Sequence, residues 1–333
     1  MERVGLCFLD RPSVAEQLRL TRRADRLGFE SVWVCETRLV RDAISVLGAM
    51  AATTKRIRLA TGVINLWTRA PSLTALTFAT LDEYAPGRTV LGVGAYWDPL
   101  AWKQGIERRQ PLRAMREWAH IVRELLALKR ITYEGRIFQV RDLALDLGFG
   151  IEKRPRSVPI YIGATGTAML ELAGEIADGV LLNAFTSVPY IRHAVAAIRR
   201  GTRRAKRDFR RFDRPQLVSL AMSEDGDKAR GAARYLVTLY LGQQPHIAQA
   251  SGVKADLLKE INRELGGWPP KKGGPDRAMR LVDDKVVEFL TAAGTPEECR
   301  RKVRDYLAAG SSYPVLLPIT FNYDQMIDAF ALG

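Results

Sequence analysis

The chain has 333 residues, of which 47% are apolar and 26% are charged, the balance of an ordinary globular protein. Lysine and arginine outnumber aspartate and glutamate by 51 to 37, and no apolar run approaches the roughly 18 residues that span a membrane. Three widely spaced cysteines without a CxxC pair argue against a disulfide framework or a structural zinc site. The N-terminal MERVGLCFLD is not expected to be a signal peptide, so a cytoplasmic protein with no membrane partner is expected.

Short apolar runs alternate with amphipathic helices along the whole chain. The predicted strands are residues 3–9, 31–35, 57–63, 88–94, 158–163, 179–183, 216–222 and 313–319. Most runs are continuous rather than alternating, as in parallel strands buried on both faces. The predicted helices include residues 111–128 and a late helix that opens with a capping box at Thr295. This order predicts an α/β fold, a (β/α)8 TIM barrel, as a single domain over residues 1–333.

Two stretches interrupt the alternation. Residues 129–157 are predicted to form a hairpin insertion after the fourth helix, and residues 223–281 a helical, basic insertion after the seventh strand. The second could act as a lid or be a surface loop without a function.

Much of the basic excess lies in residues 198–214, and this pattern predicts the solvated face of a long surface helix. The alternatives are a positively charged entrance to a site for an anionic ligand, or a surface that binds nucleic acid. No nucleic-acid motif accompanies the patch, so no nucleic-acid partner is expected.

Glycine patterns exclude one common cofactor fold and favour another site. A Rossmann fold needs G-x-G-x-x-G after its first strand, and here that strand runs into CFLDRPS. In a barrel, chemistry lies at the carboxyl ends of the strands. Those ends have few metal ligands, since His120, His193 and His246 fall in or beside helices. No metal site or Ser-His-Asp triad is expected. Glycine-rich backbone, amides and hydroxyls instead suit an organic cofactor that carries its own reactive atoms.

The stretch PIYIGATGTAMLELAGEIADGVLLN, residues 159–183, combines a strand, a glycine turn and a helix. Gly163 and Gly166 would let the backbone approach a ligand closely or adopt a conformation forbidden to other residues. Thr165 and Thr167 offer hydroxyls, and the start of the following helix would attract an anion. The turn therefore predicts a phosphate-binding site.

Three blocks of sequence carry a family resemblance. They are GFESVWVCETRLVRDA, the long block from RIRLATGVINLW through TLDEYAPGRTVLGVGAYW to PLRAMRE, and VPIYIGATGTAMLELAGEIADGVLLN. Together they resemble the bacterial luciferase-like flavin-dependent oxidoreductases, in the branch of the coenzyme F420-dependent methylenetetrahydromethanopterin reductases. The resemblance covers nearly the whole chain and is strongest over residues 28–183. It implies a (β/α)8 barrel with a flavin or deazaflavin ring across the strand ends.

The resemblance also implies particular cofactor contacts. Gly163 to Gly166 would grip the cofactor phosphate, and a non-proline cis peptide between Gly62 and Val63 would press against the ring. The candidate cofactor-binding residues at the strand ends are Cys7, Thr61, Gly62, Val63, Asn65, Gly92, Gly94, Gly163, Ala164, Thr165, Gly166 and Asn183. No metal ligand is among the expected site residues.

Departures from the family pattern point to the candidate catalytic acids. Several relatives carry an acid-histidine pair after the second strand, whereas this chain has Glu36 and Thr37. The methanopterin reductases carry an acid where Cys7 stands, and sugar-phosphate dehydrogenase relatives carry a glutamate at the position of Trp97, next to Asp98. Glu36 is therefore the first candidate for acid–base chemistry and Asp98 the second. The alternative for Glu36 is a structural pairing with Arg38 or Arg41.

The preferred function is a coenzyme F420-dependent oxidoreductase that moves a hydride between the deazaflavin and a small organic substrate. The alternative enzyme is an FMN-dependent monooxygenase that uses reduced flavin and oxygen. A third hypothesis, from a different class, is a non-catalytic flavin- or nucleic-acid-binding protein. Members of the family often form dimers, so a homodimer or higher homo-oligomer is expected.

Overall fold

The computed structural model describes residues 3–36, 38–148, 153–320 and 322–331. The chain divides into two compact units. The N-terminal unit comprises Leu6–Leu181 and Ala197–Asp213, and the C-terminal unit comprises Met1–Gly5, Leu182–Ala196 and Arg214–Gly333. The expectation of one domain over residues 1–333 stays a prediction.

Strands and helices alternate as in a (β/α)8 barrel, and the predicted fold class is confirmed. The strands are β1 (Gly5–Phe8), β2 (Ser31–Val34), β3 (Arg58–Thr61), β4 (Ile64–Asn65), β5 (Thr89–Gly94), β6 (Ile131–Glu134), β7 (Gln139–Leu143), β8 (Ile160–Ala164), β9 (Gly179–Leu182), β10 (Pro215–Met222), β11 (Ala292–Gly294) and β12 (Tyr313–Pro318). The helices are α1 (Val14–Arg26), α2 (Ala43–Thr53), α3 (Pro71–Tyr84), α4 (Asp98–Lys103), α5 (Pro111–Leu126), α6 (Thr167–Ile176), α7 (Val188–Arg204), α8 (Gly226–Gln243), α9 (Pro245–Ala250), α10 (Ala255–Leu265), α11 (Gly274–Met279), α12 (Asp284–Leu290), α13 (Pro296–Ala308) and α14 (Tyr323–Phe330). Within the described ranges, no helix has both the length and the apolar character needed to cross a bilayer.

The sheet of the N-terminal unit has the strand order β1-β2-β3-β5-β8-β9, with the short β4 beside β5. Strands β2, β3, β5 and β8 pair in parallel, so their carboxyl ends lie at the same edge. Every residue of β1, β2 and β5 is buried, which explains why their sequences are continuously apolar. The candidate site residues follow these strands at the edge where barrel enzymes place their chemistry.

The third predicted strand, residues 57–63, is interrupted. Strand β3 ends at Thr61 and β4 begins at Ile64. Between them Gly62 and Val63 are joined by a cis peptide bond, which confirms the conformation that the family resemblance implied.

The C-terminal unit is built around β10. This strand pairs in parallel with β12 over six residues and with β11 over three. Helix α13 begins with the predicted capping box, in which Glu298 N donates to Thr295 Oγ1 and Thr295 N donates to Glu298 Oε2. The stretch 223–281 is helical, as predicted, and contains α8 to α11.

Residues 129–157 contain the predicted hairpin, whose strands β6 and β7 are antiparallel. Its turn is anchored to helix α5 by one buried carboxylate. The backbone N–H groups of Arg136, Ile137 and Phe138 all donate to Glu117 at 2.9–3.1 Å. Burial would raise the pKa of Glu117, but these three hydrogen bonds outweigh it and lower the pKa. Residues 149–152 of this stretch lie outside the described residues.

The basic stretch 198–214 is not one long helix. Helix α7 ends at Arg204, and a single 3-10 turn covers Phe209–Arg211. Several of its arginines pair with the neighbouring helix α6: Arg200 Nε contacts Glu171 at 2.8 Å, and Arg204 contacts Glu171 and Glu175 at 3.0 and 2.5 Å. Part of the positive charge is therefore neutralised within the unit.

Candidate active site

Strand β8 passes through the predicted glycine turn directly into helix α6, so the strand–turn–helix order is confirmed. Gly166 is the N-cap of α6, and no side chain caps the first turn. A Cβ added at Gly166 would meet no atom within 4 Å. N–H groups at the start of a helix attract anions, because they lie at the positive end of the helix dipole. The turn thus has the donors and the open space that a phosphate group needs.

Val63 explains why the neighbouring strand ends are glycines. A Cβ at Gly94 would lie 2.8 Å from Val63 Cγ2, and one at Gly163 would lie 3.0 Å from Val63 Cγ1. Neither Gly163 nor Gly166 adopts a positive φ, so the expectation of a forbidden backbone conformation at these positions was wrong. A Cβ at Gly94 would therefore force Val63 to move, and one at Gly163 would crowd it, so close approach to Val63 favours glycine at both positions.

Strands β3 and β5 are joined by Thr61 and Gly92. Thr61 Oγ1 donates to the Gly92 carbonyl at 2.7 Å and accepts from Gly92 N at 2.9 Å. Thr61 is fully buried, so its hydroxyl is committed to this contact. A Cβ at Gly92 would lie 1.9 Å from the Thr61 carbonyl oxygen. The structure therefore gives both residues a structural role, and their part in cofactor binding stays a prediction.

Cys7 lies at the end of β1 and is fully buried. Its Sγ lies 3.4 Å from that of Cys35, which in turn donates to the Gly62 carbonyl at 2.8 Å. Burial, followed by the hydrogen bond with Cys35, raises the pKa of the Cys7 thiol well above its usual value. Cys7 is therefore a neutral thiol that reaches the Gly62 carbonyl only through Cys35.

Glu36 is paired with an arginine, but not with either of the two that were expected. Arg38 forms an ion pair with Asp10, and Arg41 donates to the backbone carbonyl of Asp10. The partner of Glu36 is Arg69, whose Nη2 donates to Glu36 Oε1 at 3.1 Å. Arg69 precedes helix α3, and the expectation of a local partner was wrong because the strand ends bring together residues 33 positions apart.

Arg69 is shared between two carboxylates. Its Nη2 also donates to Asp42, which caps helix α2 by accepting from Ser45 N and Ser45 Oγ. Burial alone would lower the pKa of Arg69, but hydrogen bonds and charge from Glu36 and Asp42 raise it. Arg69 therefore stays charged and fixes one oxygen of Glu36. Thr37, the residue in place of the family histidine, lies outside the described residues.

Glu36 opens onto a cavity of about 460 Å³ in the N-terminal unit. The lining residues are Glu36, Leu39, Val40, Arg41, Asp42, Asn65, Thr68, Arg69, Tyr96 and Gln104. Asn65 is thus brought together with Glu36, whereas Asp98 is not among the residues that line this cavity. Asp98 lines a separate groove of about 720 Å³, where it pairs with Arg108 at 2.5 Å and its side chain is 77% exposed.

The last predicted cofactor residue, Asn183, belongs to the C-terminal unit. Its Nδ2 donates to Tyr240 Oη at 2.7 Å, and the Tyr240 ring stacks on Phe185. Its role toward a cofactor stays a prediction.

Across the described part of the chain, no cluster of three or more histidine, cysteine, aspartate or glutamate side chains could hold a metal ion. The histidines lie on helices, as predicted: His120 on α5, His193 on α7 and His246 on α9.

Sequence reasoning missed Arg69, Tyr96 and Gln104. Tyr96 follows β5 with a φ of 68°, and its hydroxyl accepts a hydrogen bond from Gln104. The one available signal was position: Arg69 lies between β4 and the proline that begins α3, where strand-end loops carry functional side chains.

A (β/α)8 barrel with glycine-lined strand ends and an uncapped helix start is a scaffold suited to an organic cofactor that bears a phosphate. Residues 3–313 match the profile of the luciferase-like monooxygenase family, and the chain belongs to this family. The resemblance noted in the sequence is confirmed.

Individual relatives match nearly the full length. The chain is 32% identical over 308 residues to the 5,10-methylenetetrahydromethanopterin reductase of Archaeoglobus fulgidus, covering 92% of this chain and 90% of that protein. It is 32% identical over 234 residues to the F420-dependent glucose-6-phosphate dehydrogenase of Microbacterium testaceum, covering 66% and 67% of the two chains. The solved structure of the coenzyme F420-dependent tetrahydromethanopterin reductase from Methanopyrus kandleri matches with a TM-score of 0.86 at 27% identity, covering 98% and 96%.

Proposed function

We propose that this protein is a coenzyme F420-dependent oxidoreductase that acts on a small organic substrate. The observation that carries the proposal is the open turn at Gly166, which has no side-chain cap and follows the glycine-containing ends of β5 and β8. A flat cofactor with a phosphate fits these residues, because a Cβ at Gly166 would fill the space a phosphate needs. The relatives named for F420 support the deazaflavin over FMN.

Each part of the site has a separate task in this proposal. The bound deazaflavin supplies a ring carbon that accepts or donates a hydride. The N–H groups at the start of α6 bind its phosphate, and Gly163 and Gly94 leave room for the side chain of Val63. Glu36, held through Oε1 by Arg69, holds or accepts the substrate proton. Asp98 is the second candidate for that proton.

Cofactor choice is tested by titrating the purified protein with F420 and with FMN while following ring fluorescence. We expect F420 to saturate the protein at the lower concentration. Tighter binding of FMN would favour the monooxygenase alternative. Retention of either ring without turnover of any substrate would favour the non-catalytic binding protein.

Replacing Gly166 with valine is expected to weaken F420 binding about tenfold or more, because a charge-assisted hydrogen bond contributes about 1.5–3 kcal/mol. The new side chain would occupy the open space beside the start of α6. Equilibrium titration of the cofactor measures the effect, and thermal unfolding checks that the fold is kept.

Gly48→Val is the matched control for this variant. Gly48 lies in helix α2, where an added Cβ also meets no atom within 4 Å. We expect its F420 affinity to equal that of the wild type. If the folded Gly166→Val variant binds F420 as tightly as the wild type, the turn does not bind the cofactor.

We propose that the protein is a homodimer that pairs through helix α3. Leu73, Leu76 and Tyr84 lie on one side of this helix and are 49%, 44% and 61% exposed. The opposite side packs in the core, so α3 is apolar on both sides, as expected for a helix buried in an assembly.

Leu76→Arg is expected to convert the dimer to a monomer, because it buries a charge in an apolar contact. Size-exclusion chromatography with light scattering gives the mass of each variant. Tyr235→Arg, an equally exposed apolar position on α8, is the control. A wild-type monomer at micromolar concentration, or a dimeric Leu76→Arg, would contradict this interface.

The proposal includes a cytoplasmic location and no nucleic-acid partner. All three cysteines are free thiols, as is usual in a reducing compartment. Arg200, Arg204 and Arg207 of the basic stretch each contact groups within the N-terminal unit rather than projecting freely.

A further inference from the structure

Glu36 is held by the protein through one oxygen only. Oε1 accepts from Arg69 Nη2 at 3.1 Å and from Ala43 N at 3.4 Å. Among the described residues, Oε2 has no hydrogen-bond partner. Since the Glu36 side chain is 14% exposed and lines the 460 Å³ cavity, Oε2 is an acceptor available to a ligand.

Asn65 is also held by the protein through one terminal atom only, but the atom that remains available is a hydrogen-bond donor. One terminal atom accepts from Trp67 N at 3.0 Å and from Thr68 N at 2.9 Å. Because two N–H groups donate to it, this atom is Oδ1, and the other terminal atom is the amide nitrogen. Within the described ranges Nδ2 has no partner. Asn65 lines the same cavity as Glu36, so Asn65 Nδ2 is an available donor and Glu36 Oε2 an available acceptor there. Arg69 Nε, which is buried and has no hydrogen-bond partner among the described residues, is a second donor beside them.

The charges around this cavity are balanced. Two arginines and two carboxylates line it, namely Arg41, Arg69, Glu36 and Asp42. Arg69 pairs with both Glu36 and Asp42, and Arg41 donates to the backbone carbonyl of Asp10. No net charge therefore selects an anionic or cationic ligand. The exposed side chains of Leu39 and Val40 add an apolar wall.

We infer that this cavity takes an uncharged alcohol, or the carbonyl compound formed from it, as its substrate. The inference rests on the proposed function. Asn65 Nδ2 donates to the substrate oxygen, which keeps a lone pair in both the alcohol and the carbonyl form. Glu36 Oε2 accepts the hydroxyl proton. An iminium nitrogen has no lone pair for Asn65, so the donor disfavours that class of substrate.

The reaction balances with the proposed cofactor as the oxidant. The alcohol carbon loses a hydride, with its two electrons, to oxidised F420, and the hydroxyl oxygen loses its proton to Glu36. The alcohol is oxidised to a carbonyl compound and the cofactor is reduced. Asn65 is thereby assigned to the substrate rather than to the cofactor.

Asn65→Asp tests this assignment, because it keeps Oδ1 for Trp67 N and Thr68 N but replaces the Nδ2 donor with an acceptor. The probes are cyclohexanol, which is uncharged, and lactate and glucose 6-phosphate, which are anionic. Oxidation is followed as loss of F420 absorbance. Binding of cyclohexanone to the cofactor-free protein is followed by saturation-transfer NMR. Gln139→Glu, on the exposed strand β7, is the control for an amide-to-acid change.

We expect wild type to oxidise cyclohexanol in preference to both anions, and Asn65→Asp to lose about tenfold or more in kcat/KM. The variant should keep its F420 affinity within about threefold and lose the cyclohexanone NMR signal, whereas Gln139→Glu keeps both. The inference would be overturned if the wild type preferred either anion, or if it turned over no alcohol with F420 bound. It would also be overturned if Asn65→Asp changed only the affinity for F420. Failure of F420 to bind would instead contradict the proposed function, and the NMR signal would still test the cavity.

Discussion

Glu36→Gln is expected to lower kcat about 10²-fold or more while F420 affinity stays near that of the wild type. Glutamine keeps an oxygen for the hydrogen bonds from Arg69 Nη2 and Ala43 N, so the local structure is preserved. What it loses is the second carboxylate oxygen, which has no partner in the described chain. Proton transfer at that atom stops, because an amide neither accepts nor releases the proton at neutral pH.

The readout for Glu36 is the loss of F420 absorbance during turnover, with cofactor affinity measured separately. Asp42→Asn is the matched control, because it removes the other carboxylate that Arg69 contacts while keeping an oxygen for Ser45. We expect this control to change kcat by less than about tenfold. If the kcat of Glu36→Gln stays within a few-fold of the wild-type value, Glu36 has a structural role. Asp98 would then be the candidate for the proton transfer.

Gly92→Ala is expected to destabilise the protein by about 3 kcal/mol or more, or to prevent soluble expression. The added Cβ would lie 1.9 Å from the Thr61 carbonyl oxygen. That oxygen belongs to the backbone of β3, so no side-chain rotation relieves the clash. Strands β3 and β5 would have to separate, which would also break the two hydrogen bonds between Thr61 and Gly92.

Urea unfolding measures the free energy of unfolding of Gly92→Ala and of its control, Gly48→Ala. Gly48 lies in helix α2 with no atom within 4 Å of an added Cβ. Alanine there should stabilise the protein by up to about 1 kcal/mol, because it favours the helix more than glycine does. A Gly92→Ala protein within about 1 kcal/mol of wild type would show that the strands adjust without cost.

The sequence by itself determined the barrel and the position of the glycine turn between β8 and α6. Both depend on local patterns: continuous apolar runs follow from burial of a strand on both faces, and a glycine turn before a helix follows from the backbone at that one place. The capping box at Thr295 and the helical placement of His120, His193 and His246 are likewise local, and the structure confirms them. The family resemblance added the cis peptide at Gly62, which no local pattern predicts.

Only the tertiary structure decided which distant groups meet. The partner of Glu36 is Arg69, not the nearby Arg38 or Arg41, because the ends of parallel strands converge regardless of their separation in sequence. For the same reason one side chain, Val63, explains two glycines on two other strands, Gly94 and Gly163. These contacts also decide which atoms of Glu36 and Asn65 remain without partners. The type of a residue sets how many hydrogen bonds it can make, but its neighbours in the folded chain decide which of them are made.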